Sequence, residues 1–257
     1  MSQIPELMGG RRLSHGAVSD EQFVSRGGPD EYATLFDDFL YHVDHTVALP
    51  FLVQEAGSTN ATIAPIAAAN GIIRLAHTAD NEAQAVGITT DGLAAIDPTK
   101  SPIFECRAAI NLNTDAALAS DSKYEVYLGL AITDQAIATT NDAVDGFSDV
   151  AMFKLGPDGT NSIMMETDDD STHNVDVDSG IDFTSGTFHV YRIDMSSISN
   201  VKFFVDGKLA NNGNSFDMSN IAAGDLLEPY ILFKRSGDGT ERAHTMDVDY
   251  VHCSWKR

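Results

Sequence analysis

An acidic run between residues 164 and 182, MMETDDDSTHNVDVDSGID, holds the densest set of side chains that could do chemistry. Carboxylates that crowd into a loop supply the oxygen ligands that calcium prefers. The candidate ligands are Asp168, Asp170, Asp176 and Asp178. The run is only a fragment of a calcium loop, because the later glutamate of the EF-hand pattern is missing. A calcium site is therefore one hypothesis, and a solvated acidic loop is the other.

No other set of residue types has the spacing of a catalytic, metal or cofactor site. The cysteines, Cys106 and Cys253, each lie in a predicted strand without a C-x-x-C spacing, so we interpret them as buried reduced thiols. The 8 histidines include one close pair, His42 and His45, and no H-E-x-x-H motif. The sequence also has no G-x-S-x-G turn and no phosphate-binding glycine loop. We expect no cofactor.

The charge of the chain limits its partners. Asp and Glu number 38 against 16 Lys and Arg, which gives a formal charge of -22. Such a surface disfavours nucleic acid and anionic membranes and suits a partner with a basic face. The first residues, MSQIPELMGGRRLSHG, lack the apolar segment of a secretory signal, and no stretch approaches the ~20 apolar residues of a membrane span. We expect synthesis in a bacterial cytoplasm without secretion.

Short β-strands must position these side chains. From Phe36 onward, strand-length runs alternate with turn residues and show little helical periodicity. The clear runs are 71–77, 103–112, 124–132, 150–155, 187–195, 201–205, 230–234 and 246–255. Asp-Gly pairs tolerate the positive φ of tight turns, so Asp158-Gly159 and Asp206-Gly207 predict hairpins. A third pair, Asp238-Gly239, is expected to join the run at 230–234 to the last strand.

The last strand shows the alternation of a sheet with one face in the core. The alternation assigns Met246, Val248 and Tyr250 to one face and Asp247, Asp249 and Val251 to the other. Two such sheets must cover each other's apolar faces. The sequence therefore predicts an all-β fold, a two-sheet antiparallel β-sandwich of the jelly-roll kind over residues 34–257.

Residues 1–33 are predicted to form a flexible, irregular N-terminal arm. The segment has no sustained period of 2 or 3.6 residues, and glycines interrupt it repeatedly. It is interpreted either as a disordered terminus or as a tether that orders on a partner. In the second case Arg11 and Arg12 are the expected charged contacts.

The chain from Phe36 onward resembles concanavalin A-like jelly-roll domains of the laminin G or glucanase type, particularly those of tailed-phage virion proteins. The features that carry the resemblance are FDDFL, FECRAAINLN, YLGLAITD, FHVYRIDMSSISNVKFFVDGKLA, LLEPYILFKRSGDG and MDVDYVHCSW. The resemblance implies a jelly-roll fold. Function on this fold ranges over lectins, glucanases, adhesion modules and capsid decoration proteins.

Glu166 is the closest approach to the glucanase chemistry that the resemblance implies. A retaining enzyme needs two carboxyl groups about 5 to 5.5 Å apart, supplied by an E-x-D-x-E or E-x-D-x-x-E pattern. Here Glu166 and Asp168 are followed by aspartates, and the next residues look like a loop. The single tryptophan, Trp255, is interpreted as finishing the last strand against the core. We predict that the protein is not an enzyme.

The leading functional expectation is a virion structural protein. The resemblance implies a capsid decoration or cement protein that binds the outer surface of the phage head. Its expected partners are the major capsid protein and copies of itself, with which it would form a homotrimer. The first alternative is a glycan-binding adhesion module of a phage fibre or surface protein, with calcium as a candidate ion. The second is an atypical glycoside hydrolase of glucanase-like fold.

Overall fold

The computed structural model describes residues 31–39, 52–56 (backbone only), 61–66, 71–78, 83–112, 124–133, 135, 147–156, 161–235 and 243–257. These residues form strands and turns, with one short 3-10 helix at Pro98–Lys100. Within these ranges, no helix has the length and hydropathy needed to cross a membrane.

Fifteen strands make up the described fold, and each of the eight predicted runs overlaps one of them. They are β1 (Tyr32–Asp37), β2 (Leu52–Ala56), β3 (Thr62–Ile66), β4 (Ile72–Ala76), β5 (Gln84–Thr89), β6 (Ile103–Asn111), β7 (Tyr124–Ile132), β8 (Asp149–Leu155), β9 (Ser162–Asp169), β10 (His173–Asp182), β11 (His189–Asp194), β12 (Lys202–Val205), β13 (Lys208–Leu209), β14 (Leu227–Arg235) and β15 (Thr245–Lys256).

The strands form two antiparallel sheets. The eight-stranded sheet has the order β13-β12-β11-β6-β15-β4-β3, and β1 also pairs with β15. The seven-stranded sheet has the order β10-β9-β8-β7-β14-β5-β2. The predicted fold class, a two-sheet antiparallel β-sandwich, is confirmed.

Aromatic side chains link the two sheets through the core. Phe153 on β8 lies edge-on to Tyr191 and Phe203 of the opposite sheet, with ring centroids 5.4 and 5.1 Å apart. Phe203 in turn lies 5.0 Å from Phe216. Because edge-to-face rings attract each other beyond their buried area, these contacts help to fix how the sheets face each other.

The turn predictions have different outcomes. Asp206 and Gly207, with φ of 50° and 74°, join β12 to β13, so this hairpin is confirmed. β8 and β9 pair as consecutive antiparallel strands, although residues 158 and 159 lie outside the described ranges. Residues 238 and 239 also lie outside them. The strands on either side, β14 and β15, belong to different sheets, so this connection is not a hairpin within one sheet.

A β-bulge corrects the face assignment in β15. Val248 lies opposite Ala108 and Tyr250 opposite Arg107, so Asp249 is an extra residue on this strand. A bulge of this kind reverses the alternation that follows it. Val251 is fully buried in the core, and Tyr250 is only partly buried. The predicted faces are correct for Met246 and Val248 and wrong for Tyr250 and Val251.

Two segment boundaries also differ from the predictions. Residues 173–182, expected to be a loop, form the edge strand β10, which pairs with β9 through two register shifts. Strand β1 begins at Tyr32, so the sandwich includes the last two residues assigned to the arm. The rest of the arm, with Arg11 and Arg12, lies outside the described residues.

The outer face of the seven-stranded sheet is buried along its central strands. A second apolar cluster there includes Tyr127, Met152, Tyr230 and Leu232, each fully buried. Phe147, just before β8, lies edge-on to Tyr230 at 5.4 Å. By contrast, the central strands of the eight-stranded sheet present partly exposed polar and aromatic side chains on their outer face, such as Arg192, Glu105 and His252.

Gly129 on β7 tests the close packing of β7 on β8. A Cβ added there would lie 2.2 Å from the carbonyl oxygen of Ala151 and 2.8 Å from Cα of Met152. We expect Gly129→Ala to lower the free energy of unfolding by about 2 to 3 kcal/mol, because the backbone must move. Gly224→Ala is the control, because a Cβ added there would have no atom within 4 Å and only the positive φ would be strained. This control should lower the free energy of unfolding by about 1 kcal/mol. Equal losses in denaturant titrations would contradict the packing argument.

Candidate binding surface

A row of outward-facing side chains crosses six strands of the eight-stranded sheet. Each member is the register partner of the next, in the order Leu209, Phe204, Arg192, Glu105, His252 and Phe36. For the four middle members, both neighbours along the strand belong to the core cluster, and at the two ends one neighbour does, Ala210 beside Leu209 and Leu35 beside Phe36, so alternation turns the row outward. Strand spacing gives the row a length of about 24 Å. We call these six residues the cross-strand row.

Apolar groups stand at both ends of the cross-strand row, and charged groups stand in its middle. Leu209 is 58% exposed and Phe36 is 37% exposed, which is high for large apolar side chains. The Phe36 ring lies 6.0 Å from Tyr250 and 6.2 Å from His252. The tyrosine hydroxyl donates a 2.8 Å hydrogen bond to Oε1 of Glu105. Burial, together with this carboxylate, raises the pKa of Tyr250, so the phenol stays protonated and remains a donor.

Beside the cross-strand row, arginine–carboxylate pairs connect neighbouring strands on the outer face of the eight-stranded sheet. Arg74 binds both carboxylate oxygens of Asp247, at 2.6 and 2.7 Å, and Asn111 donates to the same carboxylate at 3.0 Å. The hydrogen bond from Arg74 to Asp247 raises the pKa of the guanidinium. Such bidentate pairs are directional and connect β4, β15 and β6 across the outer face.

Arg107 shows how this face holds a cation. Its guanidinium pairs with Asp249, the extra residue of the bulge, and lies 4.4 Å from the centre of the Phe188 ring. The bulge is what turns Asp249 towards Arg107, which lies opposite Tyr250. A carboxylate on one side and a ring on the other stabilise a guanidinium by charge and by cation–π attraction.

A cleft of about 600 Å³ opens at the β12 end of the cross-strand row. It is lined by Glu105, Val190, Arg192, Phe204, Asp206 and Gly207. Arg192 lies between two carboxylates, 3.3 Å from Asp194 and 3.8 Å from Glu105. Both distances exceed the 2.7 to 2.9 Å of a strong charge-assisted hydrogen bond. The cleft therefore combines an aromatic wall with carboxylates that Arg192 neutralises only in part.

Asp206 is held rigidly at the rim of the cleft. One oxygen accepts from the Val190 amide at 2.9 Å, and the other pairs with His189 Nδ1 at 2.7 Å. Burial alone would raise the pKa of Asp206, but these two contacts lower it below the usual carboxyl value. Asp206 is thus a fixed negative charge at neutral pH.

The candidate calcium ligands Asp168 and Asp170 lie at the turn from β9 to β10, where the Asp168 carboxylate is already engaged. Asp168 accepts the Asp170 amide at 2.8 Å and pairs with His173 through its other oxygen. Asp170 has a positive φ of 61°, as the tight turn from β9 to β10 requires.

Asp176 and Asp178 are directed to other partners. Asp176 pairs with Lys154 of β8 at 2.9 Å, and Asp178 accepts the Gly180 amide at 2.8 Å. Over the described ranges, no group of three or more His, Cys, Asp or Glu is placed to hold a metal ion. The predicted set does not assemble, because β9 and β10 are paired strands whose carboxylates serve separate turns and ion pairs.

Glu166 lies on β9 and is 3% exposed. Its neighbours Ile163 and Met165 face the core, so alternation places Glu166 and Asp168 on the outer face of the seven-stranded sheet. The pair therefore shares a face, as E-x-D spacing requires. Strand β9 carries no second glutamate, and Asp168 is already held by His173.

The cysteine and tryptophan interpretations are confirmed. Cys106 and Cys253 are free, fully buried thiols on the adjacent strands β6 and β15. Burial raises the pKa of both thiols, so neither is poised as a thiolate. Trp255 packs, partly buried, against the core.

Asp149, at the start of β8, is a buried carboxyl that sequence reasoning missed. It lies opposite Asp169, whose oxygens accept from Thr172 and from the backbone and side-chain amides of Asn220. Asp149 receives only the Ser148 hydroxyl, at 2.9 Å, and its Oδ1 has no partner in the described part of the chain. Burial, and then nearby aspartates, raise the pKa of Asp149. The position of Asp149 before an apolar run did not indicate a buried carboxyl, because only the fold brings the other aspartates near it.

Comparison with known proteins places the fold in a class. No protein-family model and no curated protein matches the sequence. A protein of unknown function from Shewanella oneidensis MR-1 is similar in structure, with a TM-score of 0.55 and 11% identity over 91% of this chain and 90% of that chain. The carbohydrate recognition domain of Emp47p has a TM-score of 0.54 and 10% identity, over 87% of this chain and 94% of that chain.

The carbohydrate recognition domain of Emp46p, in a potassium-bound form, is also similar. Its TM-score is 0.53, with 10% identity over 84% of this chain and 94% of that chain. Identities this low establish a common fold and nothing of function. The chain has a concanavalin A-like β-sandwich.

The raised pKa of Asp149 predicts how stability depends on pH. The folded state binds the Asp149 proton more tightly than the unfolded chain does. The contribution of Asp149 to the free energy of unfolding therefore falls as the pH rises through the pKa of the folded state. We expect Asp149→Asn to raise Tm by a few degrees at pH 7, and the gain to shrink as the pH is lowered towards 4. Asp182→Asn, at an exposed carboxyl, is the control. A difference between Asp149→Asn and the wild type that does not change with pH would refute the assignment.

Proposed function

We propose that the protein is a non-enzymatic virion structural protein, a capsid decoration or cement protein that binds the outer surface of a phage head. The cross-strand row is the observation that carries the proposal. It is an outward surface with apolar ends and a charged centre, on a sheet whose other face packs into the core. The resemblance of the sequence to tailed-phage virion proteins supports the same assignment.

The composition of this face suits a protein partner. Aromatic and arginine side chains dominate the energy of protein interfaces, and they are most effective when neighbouring groups hold their geometry. Here the Phe36 and Tyr250 rings lie 6.0 Å apart in a tilted arrangement, and Arg107 and Arg192 are positioned by carboxylates. The side chains are therefore ordered before binding, which lowers the entropy lost on association.

The position of β1 connects this face to the N-terminal arm. β1 pairs with β15 at Phe36 and His252, so the chain enters the sandwich beside the apolar end of the cross-strand row. An arm that starts there would add contacts next to the face, as a tether with Arg11 and Arg12. Assembly as a homotrimer belongs to the same proposal.

A glycan-binding module is the second candidate, because the cleft offers the elements of a saccharide site. It has a ring wall in Phe204 and fixed polar groups in Glu105, Arg192 and Asp206, and binding sites commonly combine an apolar wall with a few convergent polar groups. The similar folds of two carbohydrate recognition domains support this candidate.

Substitutions in the cross-strand row should weaken attachment to particles. The binding target is phage heads assembled without this protein. We expect the double variant Phe36→Ser/Phe204→Ser to bind them at least ~10-fold more weakly than the wild type does, because both aromatic anchors are lost. Co-sedimentation with assembled heads at a series of protein concentrations measures this. Leu93→Ser is the matched control, because Leu93 is 74% exposed but lies on a turn outside the row. Unchanged binding of a folded double variant would refute attachment through this face.

A glycan array separates the two candidates. A decoration protein should give no signal above background, with or without a chelator, and should release no reducing sugar from laminarin or agarose. A saccharide signal that Arg192→Ala abolishes and Lys202→Ala preserves would favour the glycan module instead. Lys202 is the control because it is an exposed cation on β12 that does not line the cleft.

A further inference from the structure

The cleft at the β12 end of the cross-strand row indicates what kind of partner surface fits this face. Resting on the proposed function, we propose that the cleft receives one basic side chain, an arginine or a lysine, from the coat subunit to which the protein attaches. The acceptors are Glu105 and Asp206, and the ring wall is Phe204.

Glu105 has an oxygen that can accept a hydrogen bond from an incoming cation. Its Oε1 accepts the Tyr250 hydroxyl at 2.8 Å, which fixes the direction of the carboxylate. Its Oε2 lies 3.8 Å from Arg192, beyond hydrogen-bond distance, and receives no hydrogen bond from the part of the chain that the structure describes. An incoming ammonium or guanidinium would restore the short, charge-assisted contact that Arg192 does not make.

The charge around the cleft favours a cation over an anion. Arg192 is shared by Glu105 and Asp194, and Asp206 adds a third carboxylate at the rim. An anionic ligand would have to draw Arg192 away from these carboxylates. The chain as a whole carries a formal charge of -22, which attracts a basic surface at long range.

The same face already binds one cation in this manner. Arg107 lies between the Phe188 ring and Asp249. The cleft repeats the combination of a ring and a carboxylate with Phe204 and Glu105, two strands apart across Arg192. At about 600 Å³ the cleft can hold a single long side chain together with its stem, whose methylene groups would contact Val190.

The main test is Glu105→Gln in co-sedimentation with heads that lack the protein. Glutamine keeps the shape and an acceptor for the Tyr250 hydroxyl and removes only the charge. We expect binding about tenfold weaker at low salt, and a shallower salt dependence than that of the wild type. Asp178→Asn, an exposed carboxylate on the other sheet, is the control and should bind as the wild type does. A Glu105→Gln affinity within twofold of wild type overturns the inference, whereas failure of the wild type to bind heads overturns the proposed function.

Small probes test the cleft without particles. N-acetyl-arginine amide should shift the NMR signals of the Val190 and Gly207 amides of the full-length protein, and N-acetyl-glutamine amide should not. Equal shifts with both probes would overturn the inference. The double variant Arg11→Gln/Arg12→Gln should bind the arginine probe as the wild type does. A marked gain in its affinity would mean that the arm of the protein occupies the cleft, and would overturn the assignment to a coat subunit.

Discussion

The apolar layer between the two sheets determines which side of each strand is available for binding. Phe153, Tyr191 and Phe203 meet there edge to face, and almost every strand contributes alternate residues to the same cluster. Because side chains alternate along a strand, burying one set turns the other set outward in fixed register. The cross-strand row is a direct consequence: five register pairs align six side chains that are distant in the sequence.

The two sheets use their outer faces differently. The central strands of the seven-stranded sheet are buried on both sides, and the buried ammonium of Lys234 pairs there with Glu125 at 2.6 Å. The eight-stranded sheet carries its arginine–carboxylate pairs on a partly exposed face, where a partner can reach them. Buried charges must be neutralised locally, whereas half-exposed charges can still exchange a weak internal contact for a stronger external one. The long contacts of Arg192 are of the second kind.

Backbone irregularities position two of the important carboxylates. The bulge in β15 directs Asp249 to Arg107, and the tight turn at Asp206 and Gly207 places Asp206 beside His189 and the cleft. In both cases a residue leaves the regular period of its strand, and its side chain gains a partner that the regular period would not provide. In the acidic run at 164–182, irregular pairing between β9 and β10 does not gather the carboxylates, which contact separate partners.

The sequence by itself determined the sandwich, most strand positions, the Asp206-Gly207 hairpin and the buried thiols, because these follow from local periodicity and turn chemistry. It did not determine the candidate binding surface. Phe36, Glu105, Arg192, Phe204 and His252 have no common spacing in the chain, and only strand order brings them into one row. The bulge at Asp249 was equally hidden, because a one-residue shift in pairing leaves the composition of the strand unchanged. Tertiary structure decided both, since strand register is set by packing between segments far apart in sequence.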